Sequence, residues 1–101
     1  MVNVEEINEI PGSFYLGQNY PNPFNPVTNV EFGIAKSGFI SLVVYNSPGK
    51  EVATLANNIL NSGTYKYNFN ASNLSSGVYF YTLKVNPDNE SFEFIQTKKM
   101  F

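Results

Sequence analysis

The chain has 101 residues, of which 43% are hydrophobic and 16% aromatic, and this composition predicts one folded domain with a modest core rather than a disordered segment. The net charge is −2 and every basic residue is a lysine, so the sequence lacks the concentrated positive face that nucleic-acid binding needs, and no apolar run is long enough to span a membrane. Cysteine and histidine are absent, which removes disulfides, thiolate metal sites and the usual catalytic thiol and general base.

The first part of the chain divides into a lead-in and a proline-rich segment. Residues 1–13 mix acidic residues with Pro11 and Gly12, which predicts a linker or lead-in, and residues 14–101 are predicted to form the folded domain. Residues 19–26 read NYPNPFNP, and we call them the proline strap. Because proline fixes its own φ, lacks an amide donor and pushes the preceding residue into extended geometry, the strap is predicted to be neither helix nor central strand.

From residue 27 onward, hydrophobic and polar residues alternate with a period of two, which is typical of strands with one buried face. The predicted strands cover residues 27–34, 40–45, 52–55, 65–69, 78–85 and 91–99. Short strands at regular spacing, without a helical pattern, predict an all-β fold: an immunoglobulin-like antiparallel β-sandwich of about seven strands.

The segments between these strands carry turn chemistry. Pro48 and Gly49 suit the two central positions of a type II turn. Residues 57–63 are predicted to form a loop in which Ile59 and Leu60 point inward. Residues 72–77 predict a polar corner with Leu74 tucked into the core, and residues 87–89 predict a hairpin turn.

The residues that carry chemistry form no catalytic pattern. The carboxylates fall mostly on polar strand faces or in turns, where such groups are usually solvated, so no glycosidase-type pair is predicted. Ser75 and Ser76 lack a base and a nucleophile elbow, and a corner that needs small residues explains them. Residues 88–90 offer oxygen ligands that could suit calcium, but Pro-Asp-Asn is also ordinary turn chemistry. We therefore predict no enzyme, no cofactor and no metal site.

The aromatic residues suggest a different function, the binding of carbohydrate by exposed rings. Four tyrosines occupy core-facing positions on neighbouring predicted strands and are expected to be mostly core: Tyr65, Tyr67, Tyr79 and Tyr81. The better candidates for exposed contacts are Tyr20, Phe24, Tyr45 and Phe80.

Several motifs along the chain resemble those of one family. They are LGQNYPNPFNPVT at 16–28, VYNSPGKEV at 44–52, GTY at 63–65, LSSGVYFY at 74–81 and TKKM at 97–100. Together, in order over residues 14–101, they resemble the C-terminal sorting domain of the type IX secretion system of Bacteroidetes-type bacteria, which is related to the immunoglobulin-like domain of the flagellar hook-cap protein. Two features depart from the pattern: Pro48 in the turn, and Met100-Phe101, after which the family usually continues with a few apolar residues and a lysine.

The resemblance implies a non-catalytic domain that directs a larger secreted protein through the type IX outer-membrane translocon to the cell surface or the extracellular space. The implied partners are the translocon, the sortase that removes the domain from many cargoes, and an upstream cargo domain in the same polypeptide. The residues expected to be recognised are Pro21, Asn22, Pro23, Phe24, Asn25, Pro26, Ser76, Gly77, Lys98, Lys99 and Met100.

Other roles remain open at the level of the sequence. The proline strap could simply close one end of the sandwich, with Phe24 plugging the core, rather than contact a partner. A last strand at a sheet edge could pair with a partner strand. The whole domain could instead be an accessory carbohydrate- or protein-binding module of a secreted hydrolase, or a spacer between domains.

Overall fold

A computed structural model describes residues 2–7, 12–22 and 26–100 of the chain. These residues form strands and turns, and they contain no helix long and apolar enough to cross a membrane. The strands are β1 (Val2–Ile7), β2 (Tyr15–Leu16), β3 (Val27–Ile34), β4 (Gly38–Asn46), β5 (Glu51–Leu60), β6 (Gly63–Asn70), β7 (Tyr79–Pro87) and β8 (Phe94–Met100).

The strands form two four-stranded sheets, ordered β1-β6-β3-β2 and β5-β4-β7-β8, and we call them the first and second sheet. Every pairing between neighbouring strands is antiparallel. The chain changes sheet between β3 and β4, between β5 and β6, and between β6 and β7, so neighbours in the sequence often lie in different layers. The predicted all-β antiparallel sandwich is confirmed.

The core lies between the sheets and follows the alternation in the sequence. The side chains that are fully buried include Val30, Phe32 and Ile34 of β3, Ile40, Leu42 and Val44 of β4, and Tyr81, Leu83 and Val85 of β7. The Phe32 ring stacks on those of Tyr65 and Tyr67, with centroids 5.6 and 5.7 Å away. Burying each such side chain contributes about 1.5–3 kcal/mol, which is how a chain of this size folds without disulfides.

The segment that precedes the strap bridges the two sheets on the side of the sandwich where β8 lies. There β2 pairs with β3 in the first sheet and also contacts β8 of the second sheet. The Phe14 ring stacks on Phe94 at 5.7 Å and meets Phe92 edge-on at 6.0 Å. This segment therefore packs against both layers.

The predicted lead-in contains a strand. Residues 2–7 form β1, which pairs with β6 from Val2 opposite Phe69 to Ile7 opposite Thr64. Pro11, one of the residues behind the prediction of a linker, lies outside the described residues. The division of the chain at residue 13 stays a prediction.

The predicted loop at residues 57–63 is wrong over its first half. Strand β5 continues through Leu60, which lies opposite Gly38 of β4. Because side chains alternate along a strand, Ile59 faces outward opposite Phe39 and is 69% exposed, so it is not the inward anchor that was predicted. Leu60 and Leu74 do pack against the core, as predicted.

The turn between β4 and β5 also differs from the prediction. The Gly49 amide donates to the Asn46 carbonyl at 2.9 Å, and the Asn46 amide donates to the Lys50 carbonyl at 2.9 Å. The central residues are therefore Ser47 and Pro48, and Gly49 follows them in the left-handed region with φ of 94°. This is a three-residue hairpin loop, and its last position favours glycine because a Cβ is disfavoured there.

A substitution at Gly38 should test the close packing of β4 against β7. A Cβ at this position would lie 2.3 Å from the Asn86 carbonyl oxygen, and backbone atoms cannot move aside cheaply. We expect Gly38→Ala to lower the free energy of unfolding by roughly 1 to 3 kcal/mol, measured by urea denaturation. The matched control is Gly12→Ala, because no atom of the described residues lies within 4 Å of its added Cβ. Equal stability of the two variants would contradict the described pairing.

Candidate recognition surface

The described part of the proline strap is fastened to the first sheet at both of its ends. The Tyr20 amide donates to the Asn29 carbonyl at 2.9 Å, and the Asn29 amide donates back at 2.7 Å. At the other end, the Ala71 amide donates to the Pro26 carbonyl at 2.8 Å. Pro21 and Pro26 are exposed between and beside these anchors. The predicted recognition residues Pro23, Phe24 and Asn25 lie outside the described residues.

A buried polar network holds the inner side of the strap. Asn19 is fully buried, and its Nδ2 donates to the Thr28 hydroxyl at 3.1 Å. The Thr28 hydroxyl in turn donates to the Pro21 carbonyl at 2.9 Å. Asn22, itself exposed, donates from Nδ2 to the Asn19 carbonyl at 3.0 Å. Because buried polar groups are costly unless they are paired, this network favours one strap conformation.

Residues just before the strap connect it to the second sheet. The Tyr81 hydroxyl donates to the Gly17 carbonyl at 2.7 Å. The Gln18 Nε2 donates to the Lys99 carbonyl at 2.8 Å. These bonds join positions 64 and 81 residues apart in the sequence. The sequence analysis did not single out Gly17, Gln18 or Asn19 for this role, since nothing local identifies partners so distant.

The environment of Tyr81 alters its acidity. Its side chain is fully buried, and this burial raises the pKa of the hydroxyl from 10.0 to about 12, despite a hydrogen bond from the backbone of Asn19 that acts in the opposite direction. Burial, with a smaller effect of Tyr65, also raises the pKa of Tyr67. Both hydroxyls stay protonated at neutral pH.

The corner at residues 72–77 is fixed by the first residue of β7. The Tyr79 hydroxyl donates to the Ser75 carbonyl at 2.6 Å, and the Leu74 amide donates to the Ala71 carbonyl at 3.0 Å. Ser76 and Gly77 are exposed at the outside of the corner. The corner thus presents two small residues on a rigid support.

The last described strand contributes one buried and two more accessible residues. Met100 is only 4% exposed and belongs to the core. Lys98 is half-buried and Lys99 is exposed. Met100 therefore anchors the end of β8, and Lys99 is the most exposed of these three residues.

The register of the strands brings these motifs together at one end of the sandwich. Val27, directly after the strap, lies opposite Asn70, directly before the corner. In the second sheet, Tyr79 lies opposite both Asn46 and Met100. We call this the signature end, made up of Pro21, Asn22, Pro26, the corner at residues 72–77, the hairpin loop at residues 47–49 and the end of β8.

Two cavities open at the signature end. One, of about 320 Å³, lies between Pro26 and the corner, with Tyr79 in its wall. The other, of about 240 Å³, lies between the corner and the hairpin loop at Ser47 and Pro48. Ser75, Ser76 and Gly77 line both cavities and form the wall between them.

The structure also describes the aromatic residues considered for carbohydrate binding and the turn considered for calcium. All four tyrosines predicted to be core are buried, namely Tyr65, Tyr67, Tyr79 and Tyr81. Of the residues expected to be exposed, Tyr20 is 73% exposed, while Tyr45 and Phe80 lie opposite each other and are half-buried. At the turn considered for calcium, Glu90 forms an ion pair with Lys36 at 2.8 Å. Across the described residues, no three acidic, cysteine or histidine side chains converge on a metal position.

Two packed antiparallel sheets with exposed turns at their ends place the chain in the class of β-sandwich domains. Within that class, the family described as the secretion system C-terminal sorting domain matches residues 18–97, which is most of the chain, and the chain belongs to this family. No curated protein and no solved structure gives a significant match.

Membership of the family gives the chain its general role. It is a sorting domain of type IX secretion, a C-terminal signal carried by larger proteins. Such domains mark proteins exported to the cell surface or the extracellular space, and the family is known as non-catalytic. The resemblance identified from the sequence motifs is confirmed.

The raised pKa of Tyr81 predicts a loss of stability in alkali. A group whose pKa is higher in the folded chain stabilises it fully below the unfolded value of 10.0, and this contribution is lost as the pH rises through about 12. We expect the free energy of unfolding to fall by about 2 to 3 kcal/mol over that interval. Urea denaturation at a series of pH values measures it. Tyr81→Phe should flatten the curve, whereas parallel curves for the two proteins would contradict the assignment.

Proposed function

We propose that the type IX outer-membrane translocon recognises this domain at its signature end and so exports an upstream cargo protein. One observation carries the proposal: four of the five motifs typical of the family, far apart in the sequence, meet at one end of the sandwich around two cavities, whereas the GTY motif at 63–65 starts at the opposite end of β6. A partner that binds there would contact several of these motifs at once.

The two roles considered for the strap are compatible in this arrangement. On its inner side, Asn19 and Thr28 bind the strap to the sandwich, as a brace requires. On its outer side, Pro21, Asn22 and Pro26 remain exposed, as a recognition element requires. A braced strap loses little conformational entropy when a partner binds, which favours recognition.

A partner strand has a place to bind on β8. This strand is the last of its sheet, and strands at a sheet edge commonly accept an additional strand through backbone hydrogen bonds. The Lys99 carbonyl already accepts from Gln18, so a strand added to β8 would pair with the residues before Lys99, next to the signature end. We propose this edge as a second contact for the translocon or for a sortase that removes the domain.

A matched pair of substitutions tests recognition at the signature end. Ser76 is exposed in the wall between the two cavities, and Ser91 is exposed at the opposite end of the sandwich. The chain and its Ser76→Arg and Ser91→Arg variants are each fused to a reporter in a type IX-competent host. We expect Ser76→Arg to reduce surface reporter by about 10-fold or more, as loss of an interface contact worth 1.4 kcal/mol would do, and Ser91→Arg to have little effect.

The outcomes separate the parts of the proposal. If the unmodified chain fails to export the reporter while an established sorting domain succeeds, this chain does not act as a sorting signal. If it is exported and both variants are exported equally well, recognition does not involve the signature end. Point substitutions are preferred to removal of residues 95–101, because that segment contains most of β8 and the core residue Met100.

A further inference from the structure

The outer face of the first sheet carries a polar cavity whose lining shares no residue with the two cavities of the signature end. It has a volume of about 350 Å³ and lies beside the segment that enters the strap. We call it the polar shelf, and its lining residues are Gly17, Gln18, Tyr20, Asn29, Glu31 and Lys66. Cavities of this size commonly hold small molecules.

The strand register places the side chains of the shelf in two rows. Asn29 lies opposite Asn68 on β6 and opposite Tyr20 on its other side. Two residues further along β3, Glu31 lies opposite Lys66. Residues two apart on a strand face the same side, so Asn29 and Glu31 both point away from the core.

Neighbouring groups fix the orientation of both side chains. The Tyr15 hydroxyl donates to Glu31 Oε2 at 2.7 Å, and Asn68 Nδ2 donates to Asn29 Oδ1 at 3.1 Å. Within the described part of the chain, no hydrogen bond engages Asn29 Nδ2 or Glu31 Oε1. The shelf therefore offers a fixed donor and a fixed acceptor to a ligand.

Tyr20 adds an aromatic surface beside these polar groups. Its side chain is 73% exposed. Its backbone is held in place because its amide donates to the Asn29 carbonyl and its carbonyl accepts from the Asn29 amide. An exposed ring on a fixed backbone provides apolar contact area at low entropic cost. A single exposed tyrosine is ordinary, but here the ring borders a cavity with aligned polar groups.

The charges of the residues that line the shelf indicate whether its ligand is charged or neutral. Glu31 and Lys66 carry opposite charges on directly opposed positions, and Glu5 of β1 lies opposite Lys66 on its other side, so the cavity has no excess of positive charge and does not favour an anion such as a phosphate. A neutral ligand rich in hydroxyl groups can donate to the carboxylate, accept from the amide and place its C–H face on the ring. We infer that the polar shelf binds a neutral sugar.

This inference does not depend on the sorting function. Tyr20, Asn29 and Glu31 lie on the outer face of the first sheet, whereas the two cavities of the signature end are lined by other residues. Glu31→Gln, which changes the shelf but no residue of the strap or of the signature end, should therefore leave export of a fused reporter unchanged.

Titration of the ¹⁵N-labelled chain, followed by NMR, tests the proposal. The neutral probes are glucose, galactose, mannose and N-acetylglucosamine, and the anionic probes are glucuronate and inorganic phosphate. We expect at least one neutral sugar to shift the backbone amides of residues 17–20, Asn29, Glu31 and Lys66. Tyr20→Ala should weaken that binding by about 3- to 10-fold, as loss of an aromatic contact does. Phe39→Ala, which removes a 42% exposed ring from the other sheet, should leave it unchanged.

A second variant tests the role of charge. Glu31→Gln keeps an oxygen that can accept from Tyr15 but removes one of the two acidic residues opposite Lys66. It should increase binding of glucuronate and phosphate, because the cavity loses a negative charge. The inference is overturned if no neutral sugar shifts these amides, if an anionic probe binds the unmodified shelf more tightly than every neutral one, or if Tyr20→Ala binds as well as the unmodified chain.

Discussion

The hydrogen bond from the Tyr81 hydroxyl to the Gly17 carbonyl joins the middle of the second sheet to the segment that leads into the strap. Tyr81 is fully buried, so water does not compete for its hydroxyl. The bond from Gln18 to the Lys99 carbonyl also joins this segment to the second sheet. Together they set the position of the strap relative to β7 and β8, and the rest of the signature end is arranged around that position.

As a consequence, neighbouring residues between positions 17 and 22 have different structural roles. Residues 17–19 connect both sheets through hydrogen bonds and Asn19 is buried, whereas Pro21 and Asn22 are exposed immediately afterwards. Tyr20, between them, faces the outer side of the first sheet and borders the polar shelf. One extended segment thus contributes to the core, to the surface proposed for the translocon and to a separate cavity, because alternate residues of extended chain point in opposite directions.

The sequence predicted the strands well because their burial is one-sided. The alternation of Tyr79, Tyr81, Leu83 and Val85 required one buried face, and all four are buried. It failed at Ile59, where two apolar residues in a polar stretch suggested a loop anchored inward, because hydrophobicity alone does not say which side of an edge strand meets the core. It also misplaced the turn at Pro48, since several types of turn accept a Pro-Gly pair. The two backbone hydrogen bonds made by Asn46 show which type forms.

The sequence by itself determined the fold class and the family, because periodic burial and ordered motifs are properties of the chain read in one dimension. It also supplied the residues of the signature end as separate motifs. Only the tertiary structure decided that Pro26, Ser76 and the end of β8 lie at the same end, and that Met100 is part of the core. The same holds for the polar shelf, where Tyr20, Asn29 and Lys66 meet. Such neighbours depend on strand register and on which strands share a sheet, and both arise from contacts between residues distant in the sequence.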